Sequence, residues 1–335
     1  MTAERREFVV ETAWLHHEHG LTQEEVARRF GVSRSTVSRA LADAERLGIV
    51  QVTVTVPMPL EARLAAALGE RLGVTATVGA RIGDETSTAA AARAAARLVE
   101  RISAAGRITI AASWGRTLSA TAHLVRPRAT VGVTVVDAVG HVGGDQMVPA
   151  VDVTRTLAAA LGAAVIHLPS PAFVDAPSIA GLLASGPVRD ALHVARTADI
   201  TVVSIGVVGE ASLLRLEGLI DASAMARLEA AGAVGEILGH WYDAQGGEVG
   251  VSDAAVVGLS PADLRASRRV VAVAGGADKA VSLRAALAGG IVHEVVIDDG
   301  LAAALLEGAS EADAPRLSQA PGSAEGAGAS NGGVS

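Results

Sequence analysis

Two stretches of this chain place anion-seeking groups where an apolar strand gives way to a helix. The first is Ser113-Trp114-Gly115-Arg116-Thr117, directly after the apolar run Arg107–Ala112. Small hydroxyls, a glycine and the first turn of a helix point backbone N–H groups outward, and the helix dipole favours negative charge there. Arg116 adds a guanidinium fork that suits a phosphate. The second is Gly275-Gly276-Ala277-Asp278-Lys279, directly after Val270–Ala274. Lys279 is the only lysine among 28 basic residues, in a chain that otherwise uses arginine. A compact ammonium and a planar guanidinium differ in shape and hydration, so a lysine kept here either marks a place where the fork does not fit or survives by chance. Neither stretch is G-x-G-x-x-G or a Walker motif. Together they point to a small phosphorylated ligand.

Three further features stand near these loops in the reading. Gly206 follows the apolar run Ile200–Ile205 and lets backbone approach a ligand or simply turn. Asp243 stands beside Trp241 and Tyr242 and either accepts from sugar hydroxyls or caps the turn before Gly246. His141 follows the run Val131–Val136 and is a candidate ligand contact or a solvated loop residue. The nine histidines show no metal-ligand spacing, and no metal or cofactor is expected.

A different chemistry is written near the start of the chain. Thr22 and Glu25 form a capping box, Gly31 sits in a tight turn, and Ser33 opens a further helix to about Leu47. This is the helix-turn-helix layout. The second of these helices begins with Arg34, Ser35, Thr36, Ser38 and Arg39, and Gln23 stands at the start of the first. Arginine forks read guanine edges bidentately, and short hydroxyls suit base edges or phosphates. Residues 1–56 carry seven Arg against eight acids, yet the span Arg28–Arg39 holds four Arg and no acid. The basic face is local.

The elements that must hold these groups follow from pattern. The chain has 335 residues, half of them hydrophobic, but only 2% are aromatic and none is cysteine. The core must therefore be aliphatic, and disulfides, thiolate metal sites and a cysteine nucleophile are excluded. Net charge is −8, so the chain as a whole is no polyanion binder. The charged start MTAERREFVV lacks a signal-peptide core and the apolar runs are too short to span a bilayer, so a cytoplasmic protein without membrane contact is expected.

Residues 1–56 read as a helical domain, with Ile49–Val56 as a closing strand. Residues 57–73 read as a linker helix, 74–307 as an α/β effector domain, and the Gly/Ala/Ser-rich 308–335 as a disordered tail. Expected strands are Thr75–Val78, Arg107–Ala112, Val131–Val136, Ala163–Leu168, Ile200–Ile205, Ala255–Val257, Val270–Ala274 and Glu294–Ile297, with helices between many of them. That rhythm implies a Rossmann-like, largely parallel sheet with ligands at the carboxyl ends of its strands.

With these motifs in place, the chain resembles the SorC/DeoR sugar-binding family of bacterial transcriptional regulators over roughly residues 8–306. The stretches that carry the resemblance are AWLHHEHGLTQEEVARRFGVSRSTVSRALADAERLGIVQV, SWGRTL at 113–118, LPSPAFVDAP at 168–177, ADITVVSIG at 198–206, GAVGEILGHWYDAQG at 232–246 and VVGLSPADLRASRRVVAVAGGADKA at 256–280. The resemblance implies a repressor or activator that binds operator DNA. Its effector domain would be similar to sugar-phosphate isomerases such as glucosamine-6-phosphate deaminase, and it would respond to a phosphorylated sugar as a dimer or tetramer. It further implies that residues 113–117 contact the phosphate, that Lys279 matches the lysine after the family's Gly-Gly turn, and that Asp243 lies on the ligand side. Trp114 and Arg116 are bulkier than in some members, which bears on the size of the sugar. The alternative is an isomerase-type enzyme carrying a DNA-binding domain. No His-Glu or Asp-His constellation surrounds Asp243 in sequence, so an enzyme is not expected.

Overall fold

A computed structural model describes residues 2–51, 59–143, 148–250 and 254–308. The chain divides into two units, Met1–Pro57 and Met58–Ser335.

The first unit is three helices, α1 (Ala3–His17), α2 (Gln23–Phe30) and α3 (Arg34–Arg46). Each start is capped by a hydroxyl: Thr2 accepts from Arg5 N, Thr22 from Glu25 N, and Ser33 from Thr36 N. Thr22 and Glu25 complete the expected reciprocal box. Gly31 ends α2 in the left-handed region at φ 64°, which turns the chain into α3 within three residues. Val9, Ala13, Val26, Val37, Leu41 and Ala44 close the core between the helices. Residues 49–51 form no strand, and the rest of the strand expected over Ile49–Val56 lies outside the described residues.

The second unit begins with α4 (Pro59–Leu72). It continues through β1 (Thr75–Gly79), α5 (Ser87–Ser103), β2 (Thr109–Ala112), α6 (Arg116–Leu124), β3 (Thr134–Asp137), α7 (Ala150–Leu161), β4 (Ala164–Ile166) and β5 (Phe173–Asp175). Next come α8 (Ile179–Ala184), α9 (Gly186–Arg196), β6 (Ile200–Val203), β7 (Gly206–Val207), α10 (Leu213–Leu216), α11 (Ala222–Ala230), β8 (Ala233–Ile237), β9 (His240–Asp243), β10 (Glu248–Val249) and β11 (Ala254–Val256). Then follow α12 (Pro261–Ala266), β12 (Val270–Ala274), α13 (Ala280–Ala288), β13 (Glu294–Asp298) and α14 (Asp299–Glu307).

Seven strands form one parallel sheet in the order β1-β13-β12-β6-β2-β3-β4. Its central strands are aliphatic on both faces, as a sheet covered twice must be. Val271 and Val273 pack with Leu98, Leu118 and Leu157 of α5, α6 and α7. Val270 and Ala272 pack on the other side with Leu68 of α4, Leu283 of α13 and Leu301 of α14. The helix α4 is therefore more than a linker. Leu68 is fully buried, and Glu61 accepts from Ala80 N at 2.8 Å at the end of β1.

Two departures from the sequence pattern matter for the site. Ala254–Val256 is not in the parallel sheet; it pairs antiparallel with β5. The run Ile200–Ile205 splits after Val203, and Gly206–Val207 joins a separate antiparallel sheet, β10-β9-β8-β7. The β8–β9 hairpin turns on Leu238 and Gly239, both at positive φ, instead of the usual Asn-Gly.

Candidate functional site

A cavity of about 370 Å³ opens at the carboxyl ends of β2, β6 and β12. Three helix starts converge on it. Thr86, Ser87 and Thr88 come from α5, Gly115, Arg116 and Thr117 from α6, and Gly275, Gly276, Asp278 and Lys279 from the turn before α13. The caps differ in a telling way. Thr86 caps α5 with its own side chain, while Gly115 and Gly276 make no side-chain cap bond to the turns they open.

Close packing fixes the two glycine turns. A Cβ on Gly275 would run into the carbonyl of Ser87, so only glycine lets β12 approach the start of α5. Gly115 stands at φ 123°, and a Cβ there would lie 2.7 Å from the Ser204 hydroxyl. That Ser204 hydroxyl is buried without a hydrogen-bond partner and belongs to the cavity wall. A buried hydroxyl left unpaired is costly unless something meets it.

Two cations and a buried acid line this space. Burial holds the Lys279 ammonium below its ordinary range; Asp278, Glu236 and Asp298 oppose this and Arg116 adds to it. Two cations thus face the same space. Glu236, from β8, is fully buried there, and desolvation lifts its carboxyl from 4.5 to about 7 against the opposing pull of Gly239 N–H and Lys279. Gly206 makes room for it, since a Cβ there would strike the carboxylate. Because the folded-state value is the higher one, the contribution to stability is present below pH 4.5 and is lost as pH rises through 7. The shift corresponds to about 3 kcal/mol. Glu236→Gln keeps an acceptor for Gly239 and cannot ionise. It is expected to melt higher than wild type at pH 8 and to lose that advantage by pH 5, as scanning calorimetry across this range would read.

The structure brings Trp114, Gly115, Arg116, Thr117, Gly206, Gly275, Gly276 and Lys279 to this one cavity. Ser113 lies behind the wall, donating to Trp114 O at 3.1 Å and accepting from Ser204 N at 3.1 Å. Two candidates lie elsewhere. Asp243 accepts from Gln245 N at 2.9 Å and Gly247 N at 2.7 Å, so its carboxylate caps the β9–β10 turn. His141 lines a different cavity with Asp137, His167 and Ser170. Glu236, Ser204 and Thr86–Thr88 were missed. Glu236 sits in a segment whose strand pattern is masked by glycines, and the hydroxyl run 86–88 reads in sequence as an ordinary helix cap.

On α3, Arg34, Ser38 and Arg39 are exposed. Ser35 and Thr36 place their hydroxyls 2.8 Å from that of Ser33, inside the cap, and Arg39 Nε donates to Ser35 O. Gln23 is half-buried at the first turn of α2. Among the described residues no group of acids and histidines is placed to hold a metal, and no helix is long and apolar enough to cross a membrane.

Comparison with known proteins places this geometry. The family described as "Putative sugar-binding domain" matches residues 56–307, and the MarR family matches residues 13–57. The deoxyribonucleoside regulator of Bacillus subtilis (strain 168) is 27% identical over 313 residues, 91% of this chain and 99% of that protein. The transcriptional regulator LsrR of Enterobacter sp. (strain 638) is 29% identical over 312 residues, 90% of this chain and 93% of that protein. The crystal structure of the full-length sorbitol operon regulator SorC from Klebsiella pneumoniae superposes with a TM-score of 0.66 at 25% identity, over 91% of this chain and 100% of that one. These relatives are transcriptional regulators, not enzymes. The chain belongs to the SorC/DeoR family of sugar-binding transcriptional regulators, with a MarR-like helix-turn-helix ahead of its sugar-binding domain.

Proposed function

We propose that this regulator binds operator DNA through α3 and releases or engages it when a small phosphorylated sugar fills the cavity at the sheet's carboxyl edge. The observation that carries the reading is the meeting of Arg116, Lys279 and two uncapped helix starts around one space, a set of donors that suits a phosphate dianion. Glu236, Ser204 and Thr86 are the groups that suit sugar hydroxyls on the same wall. The names of the relatives, a deoxyribonucleoside regulator and a sorbitol operon regulator, fit a sugar or polyol effector.

A route out of the cavity exists within the second unit. Gly276 N donates to Asp298 at 2.9 Å, and Arg81 bonds the neighbouring Asp299 at 2.8 Å. Ala80, the residue before Arg81, donates to Glu61 of α4, and Arg93 binds both Ala80 O and Glu85. The segment 80–88 therefore joins the cavity's Thr86–Thr88 lip to the first turn of α4, the helix that follows the DNA-reading unit in the chain. In this reading the protein works in the cytoplasm as a homo-oligomer, with contacts from the second unit, and needs no cofactor.

The test is a thermal-shift panel of phosphorylated sugars, each paired with its unphosphorylated form. A ligand at 100 times its Kd adds about 2.7 kcal/mol. The reading expects a shift from one phosphorylated sugar and little from its free form. Equal shifts from both forms would remove the phosphate from the proposal.

A further inference from the structure

One face of α1 is left uncovered by its own unit. Val10 is 44% exposed and Trp14 56% exposed, and with Ala3 and Glu7 they form a stripe spaced 4-3-4 along the helix. Arg6 and Glu11 flank the stripe and line the same shallow surface. The opposite face of α1 packs Val9, Ala13 and Leu15 into the core, so the stripe is no part of that packing.

We propose that this face pairs with α1 of a second copy, the two helices running parallel about a twofold axis. The charges select both partner and direction. At about 100° per residue, Arg6 lies about 70° to one side of the stripe and Glu11 about 70° to the other. In a parallel pair each Arg6 meets Glu11 of the second copy, the g-to-e contact that sets orientation in paired helices. In an antiparallel pair, like sides meet, and Glu11 would face Glu4. The described ion pairs of this unit join Asp43 to Arg5 and Arg46, and take up neither Arg6 nor Glu7 nor Glu11. Glu7 and Glu11 repel each other one turn apart, and the Arg6 of a second copy relieves that. Four side chains on one short helix bury far less than the roughly 800 Å² per partner of a stable interface. The pairing therefore needs the full chain, whose second unit or bound DNA brings copies together. The proposal stands on the first unit and does not depend on what fills the cavity.

The cysteine-free chain makes the test direct. Single variants Ala3→Cys and Val10→Cys of the full chain are oxidised mildly and run without reductant. A disulfide closes only over Cα separations of about 4.4–6.8 Å. Parallel pairing brings each position to its own counterpart, so both variants are expected to form covalent dimers, while Glu24→Cys on exposed α2 surface does not. Adding Arg6→Glu to Val10→Cys abolishes the dimer, and adding Glu11→Arg to that variant restores it. Antiparallel pairing would leave the two Ala3 positions about 16 Å apart along the axis. A dimer from Val10→Cys without one from Ala3→Cys overturns the proposal. So does the absence of both.

Discussion

Lys279→Ala is expected to fold, to bind operator, and to lose its response to the effector. In the free protein the ammonium is held in a desolvated wall beside Arg116, so removing it relieves an unfavourable charge. The thermal midpoint without ligand should therefore stay level or rise. With ligand the sign reverses, because a charge-assisted contact contributes about 1.5–3 kcal/mol, or about 10- to 150-fold in affinity. Lys279→Arg should be impaired as well. A planar fork is wider than an ammonium, and Arg116 already lines the same cavity. Calorimetric titration of wild type and both variants with the sugar phosphate found in the thermal-shift panel separates the cases. Equal affinities for all three would make Lys279 a bystander.

Arg34→Ala and Arg39→Ala should each weaken operator binding by about 1–3 kcal/mol if the side chain reads a base bidentately. Both guanidinium groups are exposed at the start of α3, where a recognition helix meets base edges. Arg39 is partly pre-set by its bond to Ser35 O. A gel-shift series on mapped operator and scrambled DNA reads the difference. A base-reading arginine loses operator affinity and relaxes discrimination between the two. An arginine that only touches phosphate loses affinity for both DNAs alike and lowers the salt slope. Wild-type binding by both variants would contradict the assignment of α3. Neither substitution should alter the response of the thermal midpoint to effector.

The first unit was legible because its signals are local. Thr22, Glu25, Gly31 and Ser33 each act within four residues, and the observed caps are the expected ones. The parallel sheet was legible too, since Val270–Ala274 and Val295–Ile297 are unbroken aliphatic runs. The small antiparallel sheet was not. Its strands carry glycines at 206 and 235 where side chains from neighbouring strands must fit, and its tightest hairpin turns on Leu238-Gly239. Missing that sheet hid Glu236, which only the β7–β8 pairing sets against Gly206. Asp243 takes the second of its two readings: both backbone partners lie within four residues and make it a turn residue. His141, offered as a ligand contact or a solvated loop residue, is exposed, bridges to Pro171 and lines a different cavity with His167 and Ser170. The two strand-end loops that line the cavity, in contrast, were noticed from local sequence, because hydroxyls, glycines and cations placed directly after an apolar run need no pairing partner to be seen.

The central claim is that one cavity holds a sugar phosphate and thereby sets the affinity of α3 for DNA. The most direct measurement is fluorescence anisotropy of a labelled operator, titrated with one sugar phosphate and with its free sugar. Wild type, Lys279→Ala and Arg34→Ala are compared. The phosphorylated form is expected to change wild-type operator affinity, and the free sugar is not. Lys279→Ala should bind operator as wild type does yet stay unresponsive over the same range. An effector response in Lys279→Ala with the wild-type midpoint, or a wild-type response to the free sugar at equal concentration, would contradict it.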